Sequence, residues 1–341
     1  MLKLLCSFAR RAPTQTMRTL TTSSVVRQPR RSQRPQAQRG QQHADDSRFG
    51  QYRRLVPASL VASKPLAREP SLLSVPGHIP RPGYAQSGTP PEWVMDIPIL
   101  DVQEIECLKE AAKVARDALA LGGSMVRPGV TTKEINTKVH RFIVSQGAYP
   151  SCLNYLGFPS AICTSTNNVI AHGIPDKRPL EDGDIINIDV TAYKLGFHGD
   201  TSASFAVGQV DAAGTALMEA TREALDLAIQ VCGPGVPLTA IGETISAYAE
   251  PLGYSLSREL TGHGIGRCFH QNPLIYHHYN DEPGAMLPGM AFTIEPILCQ
   301  GVATGILWPD GWTISTEDGG RSTQFEHTLI ITSSGAEVLT A

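Results

Sequence analysis

The sequence predicts an α+β protein built from two similar halves, each of which places antiparallel strands against a layer of helices. Two segments with apolar residues at helical spacing precede a run of strands and loops, and the same order then occurs again. The strand segments are short and rich in β-branched residues, with glycines between them. The two halves resemble each other in the order of their elements, not in sequence.

Each predicted helix has a recognisable start or stop signal. The first ends in the pair Gly122–Gly123, and the second begins with a cap at Thr131 or Thr132 and ends at Gly147. Strands and glycine loops are predicted between 151 and 205, and again from 261 onward. The four helices are predicted at 101–126, 131–147, 212–232 and 239–253.

Composition and charge indicate a soluble globular protein. Of the 341 residues, 41% are hydrophobic and 18% are charged, and no apolar run approaches the about 18 residues of a membrane-spanning helix. The net charge of −3 is unevenly distributed, because residues 1–44 carry nine Lys/Arg and no acid. The rest of the chain therefore carries 20 basic and 32 acidic residues. This excess of acid argues against nucleic-acid binding by the folded part.

The first 44 residues predict a mitochondrial transit peptide. They are rich in Arg and Ser/Thr, lack acidic residues and place short apolar patches between charges. A secretory signal fits poorly, because no unbroken apolar stretch follows the first charges. A plain disordered basic tail is the alternative interpretation. We therefore expect the protein in the mitochondrial matrix, with a plastid as the less favoured location.

Residues 45–97 form a proline-rich extension before a folded domain predicted at 98–341. The stretch SVPGHIPRPGYAQSGTPPEW is typical of extended chain rather than of helix or sheet. We expect either a plain linker, the favoured reading, or a segment that lies along the domain surface. The seven cysteines of the chain are scattered without CxxC spacing, which predicts neither a disulfide framework nor a structural zinc site.

Two aspartates lie close together in one predicted hairpin, INIDVTAYKLGFHGDTSASF. A turn at Lys194 and Leu195 would place Asp189 directly opposite Asp200 on the same face. At about 5 Å and an effective dielectric of about 20, their repulsion would be about 3 kcal/mol. A shared proton or a bound cation would relieve it. Proton-sharing dyads use two matching loops far apart in sequence, which a single hairpin does not supply.

Other ligand-type residues favour the cation. Glu295 and Glu326 each lie beside apolar strand residues, and His263 lies between glycines in TGHGIG. Four carboxylates with one imidazole suit divalent Mn, Fe, Co or Zn better than a thiolate-type site would. Four anionic ligands exceed what one divalent ion needs, so we favour two ions about 3.5–4 Å apart.

The remaining histidines of interest fall into two groups. His172 and His270 lie in conspicuous loops, and His198 precedes Asp200 by two residues, where it is expected behind the metal ligands. His277 and His278 are expected at the surface or in a loop.

Several segments together resemble, in order and spacing, the type I methionine aminopeptidases. The resemblance runs from about residue 98 to the C-terminus, and the basic leader with its proline-rich approach resembles the mitochondrial form. It implies the pseudo-two-fold "pita-bread" α+β fold, an antiparallel sheet covered by helices, which agrees with the two predicted halves. The segments are NNVIAHGIPD, LEDGDIINIDVT, GFHGDTSASF, TGHGIGRCFH, GMAFTIEPI and STQFEHTLIIT.

The resemblance implies a dinuclear metal centre. Its ligands fall on the residues reached above from their chemistry, namely Asp189, Asp200, His263, Glu295 and Glu326. Asp200 and Glu326 would bridge both ions, Asp189 would bind one ion, and His263 with Glu295 would complete the other. The sequence does not distinguish among Co, Mn, Fe and Zn.

The resemblance also implies a substrate site. Catalytic roles fall on Glu295, as a proton shuttle, and on His172 and His270, which would contact the scissile amide. The family often has His where this chain has Leu156, and Cys where it has Ala171. Leu156 would alter how the residue after methionine is contacted. The implied methionine pocket comprises Cys152, Tyr155, Phe158, Cys163, Phe269 and Trp312.

The implied activity is removal of the N-terminal methionine from nascent proteins or peptides whose second residue is small and uncharged. Two alternatives stay open. An Xaa-Pro aminopeptidase or prolidase would share the fold and ligands, although such enzymes usually add a large N-terminal domain. A non-catalytic binding protein of this fold would usually lack metal ligands, whereas all five are present. We expect polypeptide N-termini as partners, no nucleic acid, no membrane span and a monomer.

Overall fold

The computed structural model describes residues 48–57, 73–93 and 95–341. The predicted transit peptide, 1–44, and residues 58–72 of the proline-rich extension lie outside these described residues. Residues Phe49–Ala341 form one compact unit. Within the described ranges, no helix is both long and apolar enough to cross a membrane.

The helices of the domain begin and end close to their predicted positions. Capping boxes fix two of the starts, because Asp101 and Glu104, and likewise Thr131 and Glu134, exchange side-chain and main-chain hydrogen bonds. Single 3₁₀ turns lie at Tyr155–Gly157 and Glu250–Leu252. The helices are α1 (Tyr84–Ser87), α2 (Val102–Ser124), α3 (Thr132–Ser145), α4 (Ala212–Gln230) and α5 (Thr239–Ala249), and α2–α5 correspond to the four predicted ones.

The strands are short, apart from one long hairpin. In chain order they are β1 (Tyr149–Pro150), β2 (Cys163–Thr166), β3 (Val169–Ala171), β4 (Ile185–Lys194), β5 (Phe197–Ala206), β6 (Ser255–Leu256), β7 (Gly262–Gly264), β8 (Gln271–Ile275), β9 (Ala291–Ile294), β10 (Ile297–Cys299), β11 (Gly305–Leu307), β12 (Ile314–Thr316), β13 (Ser322–Gln324), β14 (His327–Ile331) and β15 (Ala336–Val338).

Two antiparallel sheets carry most of the architecture. In the first, β4 pairs with β5 along one edge and with β1 and β2 along the other. The second has the strand order β15-β14-β9-β7-β8. Two smaller sheets, with orders β13-β10-β6 and β11-β12-β3, connect these parts among the described residues.

Each large sheet has its own helical layer and core. In the first half, α2 and α3 cover β4, with Ile135 and Ile188 among the fully buried side chains. In the second half, α4 and α5 enclose a core that includes Ile245 and Phe292. The halves meet where β5 lies beside β14. This organisation agrees with the two helical and strand layers expected from the sequence.

The register of the β4–β5 hairpin differs from the sequence prediction. Lys194 pairs with Phe197, so the turn is formed by Leu195 and Gly196, with φ values of 52° and 86°. Two consecutive positive φ values are those of a tight hairpin turn that usually contains Asn-Gly, and Leu in the first position hides that signal. Asp189 therefore lies opposite Ser202, not opposite Asp200. The prediction that the two aspartates lie directly opposite each other is therefore wrong. The pairing register differs from the predicted one by two residues, an even number, so both side chains still lie on the same face of the sheet.

The described parts of the proline-rich extension pack on the domain surface. The main chain of Leu55 exchanges two hydrogen bonds with the Asn168 side chain, at 2.7 and 3.0 Å. Ile79 and Tyr84 are buried. These residues therefore behave as a segment that lies along the domain surface and not as a plain linker, because their polar and apolar groups have partners on the domain.

A close approach of α2 to β5 predicts a large effect of Gly199→Ala. A Cβ at this position would lie 2.3 Å from the Ala112 main-chain nitrogen and 2.4 Å from its Cα. We expect the free energy of unfolding in urea to fall by about 1–3 kcal/mol, as for overpacked cores. Gly233→Ala is the control, because its Cβ would have no neighbour closer than 3.9 Å. Equal stability of the two variants would contradict the close packing.

Candidate active site

Three buried side chains from different elements converge near the junction of the halves. Asp200 on β5, His263 on β7 and Glu326, immediately before β14, each bring one potential ligand atom to within 4.8 Å of the others. Glu326 is held beside β5 because its main-chain N–H donates to the Ser202 carbonyl at 2.9 Å. The Thr201 hydroxyl donates to the Glu326 carbonyl at 2.8 Å. The contact between the two halves therefore brings these residues together.

Hydroxyl groups fix the position of Asp200. Thr191 directly opposite donates to Asp200 Oδ1 at 2.7 Å. Thr328 on β14 accepts from the Asp200 main-chain N–H at 3.1 Å and donates to its carbonyl at 2.7 Å. The other carboxylate oxygen, Oδ2, faces His263 Nε2 at 3.7 Å. One oxygen of Asp200 is thus held by the protein while the other points at the imidazole.

The orientation of the His263 ring follows from its second nitrogen. His263 Nδ1 lies 3.1 Å from the carbonyl of Gly264, which can only accept, so we assign the proton to Nδ1. The lone pair of Nε2 then faces the carboxylates. A carbonyl-bound Nδ1–H with a free Nε2 is the usual arrangement of a metal-ligating histidine.

Glu295 lies in the bend between β9 and β10 and has partners on both oxygens. Thr293 donates to Oε1 at 2.9 Å and Gln324 donates to Oε2 at 3.1 Å. Oε1 is also 3.6 Å from His263 Nε2. The Glu295 main-chain N–H donates to His277 Nε2 at 3.0 Å. These contacts hold the carboxylate against the imidazole.

Asp189 completes the group from β4. It is partly exposed and pairs across β2 with Cys163. Burial raises the pKa of Asp189 to about 7, and the neighbouring Asp200 side chain partly offsets this increase. Asp200, His263 and Glu326 thus form the centre of the group, with Glu295 beside His263 and Asp189 beside Asp200.

The carboxyl groups cannot all ionise comfortably in this cluster. Burial raises the pKa of Glu295 to about 8, and it raises the pKa values of Asp200 and Glu326 well above their usual range, with further increases from the neighbouring carboxylates. Glu326 Oε1 is buried without a hydrogen-bond partner among the described residues. An orphaned oxygen among oxygen ligands and one imidazole fits divalent cations.

The two loop histidines contact different aromatic residues of the pocket. His172 directly follows β3 with φ 57°, and its ring lies edge-on to Trp312 at 6.5 Å. His270 Nδ1 lies 2.9 Å from the Tyr155 hydroxyl. Burial lowers the pKa of His172 to about 4 and that of His270 well below its usual value. Both rings are therefore neutral near pH 7 and can donate or accept hydrogen bonds.

The six predicted pocket residues lie together beside the carboxylates. Phe158 and Trp312 meet edge to face at 5.0 Å, and Tyr155 lies 4.9 Å from Phe269. Cys152 Sγ lies 3.8 Å from the Thr191 hydroxyl that binds Asp200. Cys163 lies beside Cys152, and this neighbour together with burial raises the pKa of the Cys163 thiol well above its usual value. The result is a buried wall of aromatic rings with two thiols at the carboxylate end.

Sequence reasoning missed several residues that hold the site. His277 was expected at the surface or in a loop; it lies in the loop after β8 but is buried beneath Glu295, with Nε2 accepting from the Glu295 main chain. Neither His277, in this loop, nor Gln324, on β13, lies in a sequence pattern that marks it as a site residue. His198 is buried as expected behind the ligands, with Nδ1 2.8 Å from the Ser151 hydroxyl. Contacts between residues far apart in sequence decide these roles.

The raised carboxyl pKa values predict how stability of the metal-free protein depends on pH. A carboxyl group with a folded pKa above its unfolded value makes the native state bind more protons, so stability falls as pH rises toward the folded pKa. The site histidines have lowered pKa values, so they act in the opposite direction below about pH 7, where an unfolded histidine titrates. Above pH 7 the histidine effect has ended, and the carboxyl groups and buried cysteines such as Cys232 and Cys299, whose pKa values burial raises to about 12, both lower the stability as pH rises.

We therefore expect the free energy of unfolding of chelator-treated protein to decrease between pH 7 and about pH 9 in urea titrations. Asp200→Asn should make this decrease shallower, because one of the raised carboxyl groups is gone. A stability that is constant or increasing over this range would show that the carboxylates are not buried as described.

Comparisons with known proteins identify the family of the chain. The profile of metallopeptidase family M24 matches residues 106–333. The chain is 49% identical over 266 residues to methionine aminopeptidase 1D, mitochondrial, from Homo sapiens, covering 78% of this chain and 79% of that protein. It is 47% identical over 291 residues to methionine aminopeptidase 1D, chloroplastic/mitochondrial, from Arabidopsis thaliana, covering 85% and 81%.

A solved structure supports the fold assignment. The crystal structure of methionine aminopeptidase from Rickettsia prowazekii matches with a TM-score of 0.71 at 42% identity, covering 72% of this chain and all of that one. The pita-bread fold expected from the sequence is thereby confirmed. The chain belongs to the methionine aminopeptidases of metallopeptidase family M24.

Proposed function

We propose that this chain uses the Asp200–His263–Glu326 cluster and the adjoining pocket to remove the N-terminal methionine from polypeptides whose second residue is small and uncharged. As a methionine aminopeptidase, it is a hydrolase with a dinuclear divalent metal site that acts on polypeptide N-termini. The observation that carries the residue assignment is the position of the carboxylate cluster at one end of an aromatic pocket.

The donor set supports an assignment of each ligand. Asp200 and Glu326 are the central carboxylates and would each contact both ions, with Glu326 Oε1 as an oxygen that has no hydrogen-bond partner in the described part of the chain. Asp189 would bind one ion. His263 and Glu295, whose Nε2 and Oε1 atoms lie 3.6 Å apart, would bind the other. When bound, two divalent ions supply Lewis acidity that polarises a carbonyl and lowers the pKa of a water.

Glu295 would carry out the proton transfers from the attacking water to the leaving amine. Its carboxylate lies at the edge of the cluster and retains 15% exposure, whereas the Asp200 side chain is only 6% exposed. A carboxylate there would accept the proton of the attacking water and deliver it to the leaving amine. Thr293 and Gln324 hold the carboxylate in place during both transfers.

The two neutral histidines would contact the scissile amide. His270 engages Tyr155 through Nδ1, which leaves Nε2 to face the substrate. His172 approaches from the Trp312 side. A hydrogen bond from each ring would position the amide and stabilise charge that develops on its oxygen.

The pocket suits a flexible thioether side chain. Aromatic rings from Tyr155, Phe158, Phe269 and Trp312 supply apolar surface, and methionine sulfur makes favourable contacts with such rings. Cys152 and Cys163 line the end nearest the carboxylates. Leu156 adopts φ 52° and is partly buried beside this pocket, so we propose that it influences the choice of second residue.

The alternatives predict different substrates. An Xaa-Pro aminopeptidase would cleave Ala-Pro-Ser, whereas we expect metal-dependent release of methionine from Met-Ala-Ser and no cleavage of Ala-Pro-Ser. A non-catalytic binding protein would cleave neither peptide. Measuring the released amino acid with Mn, Co, Fe and Zn in turn decides among the three, and preferential cleavage of Ala-Pro-Ser would contradict the proposal.

Loss of a central ligand should abolish activity and metal stabilisation together. Asp200→Ala removes a carboxylate that we place on both ions, so we expect at least a 100-fold loss of kcat/KM, of about the size caused by loss of a stabilising group in other enzymes. The rise in melting temperature that Mn²⁺ gives the wild type should disappear. Exposed Asp281→Asn is the matched control and should retain both properties. Full activity of Asp200→Ala after exhaustive chelation would contradict the assignment.

We propose a mitochondrial matrix location, with residues 1–44 as the transit peptide. The names of the relatives support an organelle but include both mitochondrial and chloroplastic forms. Fusion of residues 1–44 to a fluorescent protein should direct it to mitochondria, and a diffuse or plastid signal would contradict this. The monomeric state stays a prediction.

A further inference from the structure

The proline-rich extension contacts both walls of the substrate pocket. One wall is the loop 151–158, which carries three of the six pocket residues, and the other is the segment 269–272. The extension reaches the first wall through α1 and the second through Trp93 and Met95. None of these extension residues has a role in the cluster or in the proposed chemistry.

Tyr84, in the first turn of α1, is the centre of the first contact. Its side chain is 2% exposed. Its hydroxyl donates to the Ser151 carbonyl at 2.7 Å, and its ring meets Tyr155 edge to face, with centroids 4.9 Å apart and an interplanar angle of 84°. Such an aromatic pair fixes the position of both rings. Tyr84 therefore restricts where the pocket residue Tyr155 can lie.

Tyr155 in turn positions His270, which we propose contacts the substrate. Its hydroxyl lies 2.9 Å from His270 Nδ1, and its ring lies 4.9 Å from Phe269. Movement of Tyr155 would release one side of the pocket and remove the partner that orients His270. The contacts thus run without interruption from the extension to His270, which we place on the scissile amide.

The pocket loop needs external support because its backbone is strained. Asn154 and Leu156 have φ values of 63° and 52°, in the left-handed region that non-glycine residues rarely adopt. The extension supplies support at this place, where Asn154 Nδ2 donates to the Ala85 carbonyl at 3.1 Å. Gly88, at the end of α1, has φ 74°, a conformation that favours glycine, and a Cβ there would be in ordinary van der Waals contact with Asn154.

The second wall is held by a separate pair of hydrogen bonds. Trp93 Nε1 donates to Asn272 Oδ1 at 3.2 Å, and Asn272 Nδ2 donates to the Met95 carbonyl at 2.7 Å. Asn272 lies two residues after His270 on β8. The described residues of the extension therefore contact both walls.

We propose that the proline-rich extension completes the methionine pocket, with Tyr84 as a positioning residue that determines selectivity for the first residue of the substrate. This inference rests on the proposed function, because it concerns the same pocket. Tyr84 touches no substrate atom and acts through Tyr155.

The test compares Tyr84→Leu with Tyr52→Leu in the full chain. Tyr52 is a matched control, since it belongs to the same extension and its hydroxyl also donates to a main-chain carbonyl, that of Gly319, away from the pocket. We expect Tyr84→Leu to lower the ratio of kcat/KM for Met-Ala-Ser to that for Leu-Ala-Ser by about 3- to 10-fold, the range of one lost aromatic pair. The affinity for L-methionine in calorimetry should fall with it.

Tyr52→Leu should change the melting temperature but neither the selectivity ratio nor the methionine affinity. Tyr84→Phe retains the ring contact and loses only the bond to Ser151, so it should restore most of the selectivity. A selectivity ratio of Tyr84→Leu equal to that of the wild type would overturn the inference, because the role would then be structural alone.

Two further comparisons keep the test decisive. If Tyr84→Leu does not fold, Asn154→Gly releases the loop from α1 while tolerating the positive φ, and an unchanged selectivity ratio in that variant would overturn the inference. Failure of the wild type to cleave either peptide would instead overturn the proposed function. The two failures are therefore distinguishable.

Discussion

The structure is organised by the burial of four carboxyl groups and one imidazole in a single cluster. Removing a carboxylate from water is expensive, and close carboxylates repel each other, so this arrangement destabilises the fold unless protons or cations neutralise it. The neighbouring hydroxyl and amide donors satisfy only some of the oxygens, and Glu326 Oε1 has no partner among the described residues. The metal-free cluster therefore destabilises the fold locally, and bound divalent ions remove this destabilisation.

Two halves are needed to build this cluster. β4 and β5 of the first half supply Asp189 and Asp200, while His263, Glu295 and Glu326 come from the second half. The bridge between Ser202 and Glu326 and the bonds between Asp200 and Thr328 lock one half onto the other. The stability of the junction and the geometry of the site thus depend on the same contacts. In the same way, contacts of the extension position residues of the pocket.

Local patterns in the sequence were sufficient for the helices and for the list of ligand-type residues. Helix caps and glycine stop signals involve only a few neighbouring residues, and a carboxylate beside an apolar strand segment can be recognised from the sequence alone. The hairpin register was wrong because Leu195 occupies a left-handed position that normally shows as Asn or Gly. The burial of His277 and the packing of Tyr84 depend on partners far away in sequence, which no local pattern reports.

The central claim is that these five side chains together hold two cations. Anomalous diffraction at the manganese absorption edge, from crystals grown with Mn²⁺, tests it most directly. We predict two peaks about 3.5–4 Å apart within the cluster, with oxygens of Asp200 and Glu326 contacting both. A single peak, or peaks that these two carboxylates do not share, would contradict the claim.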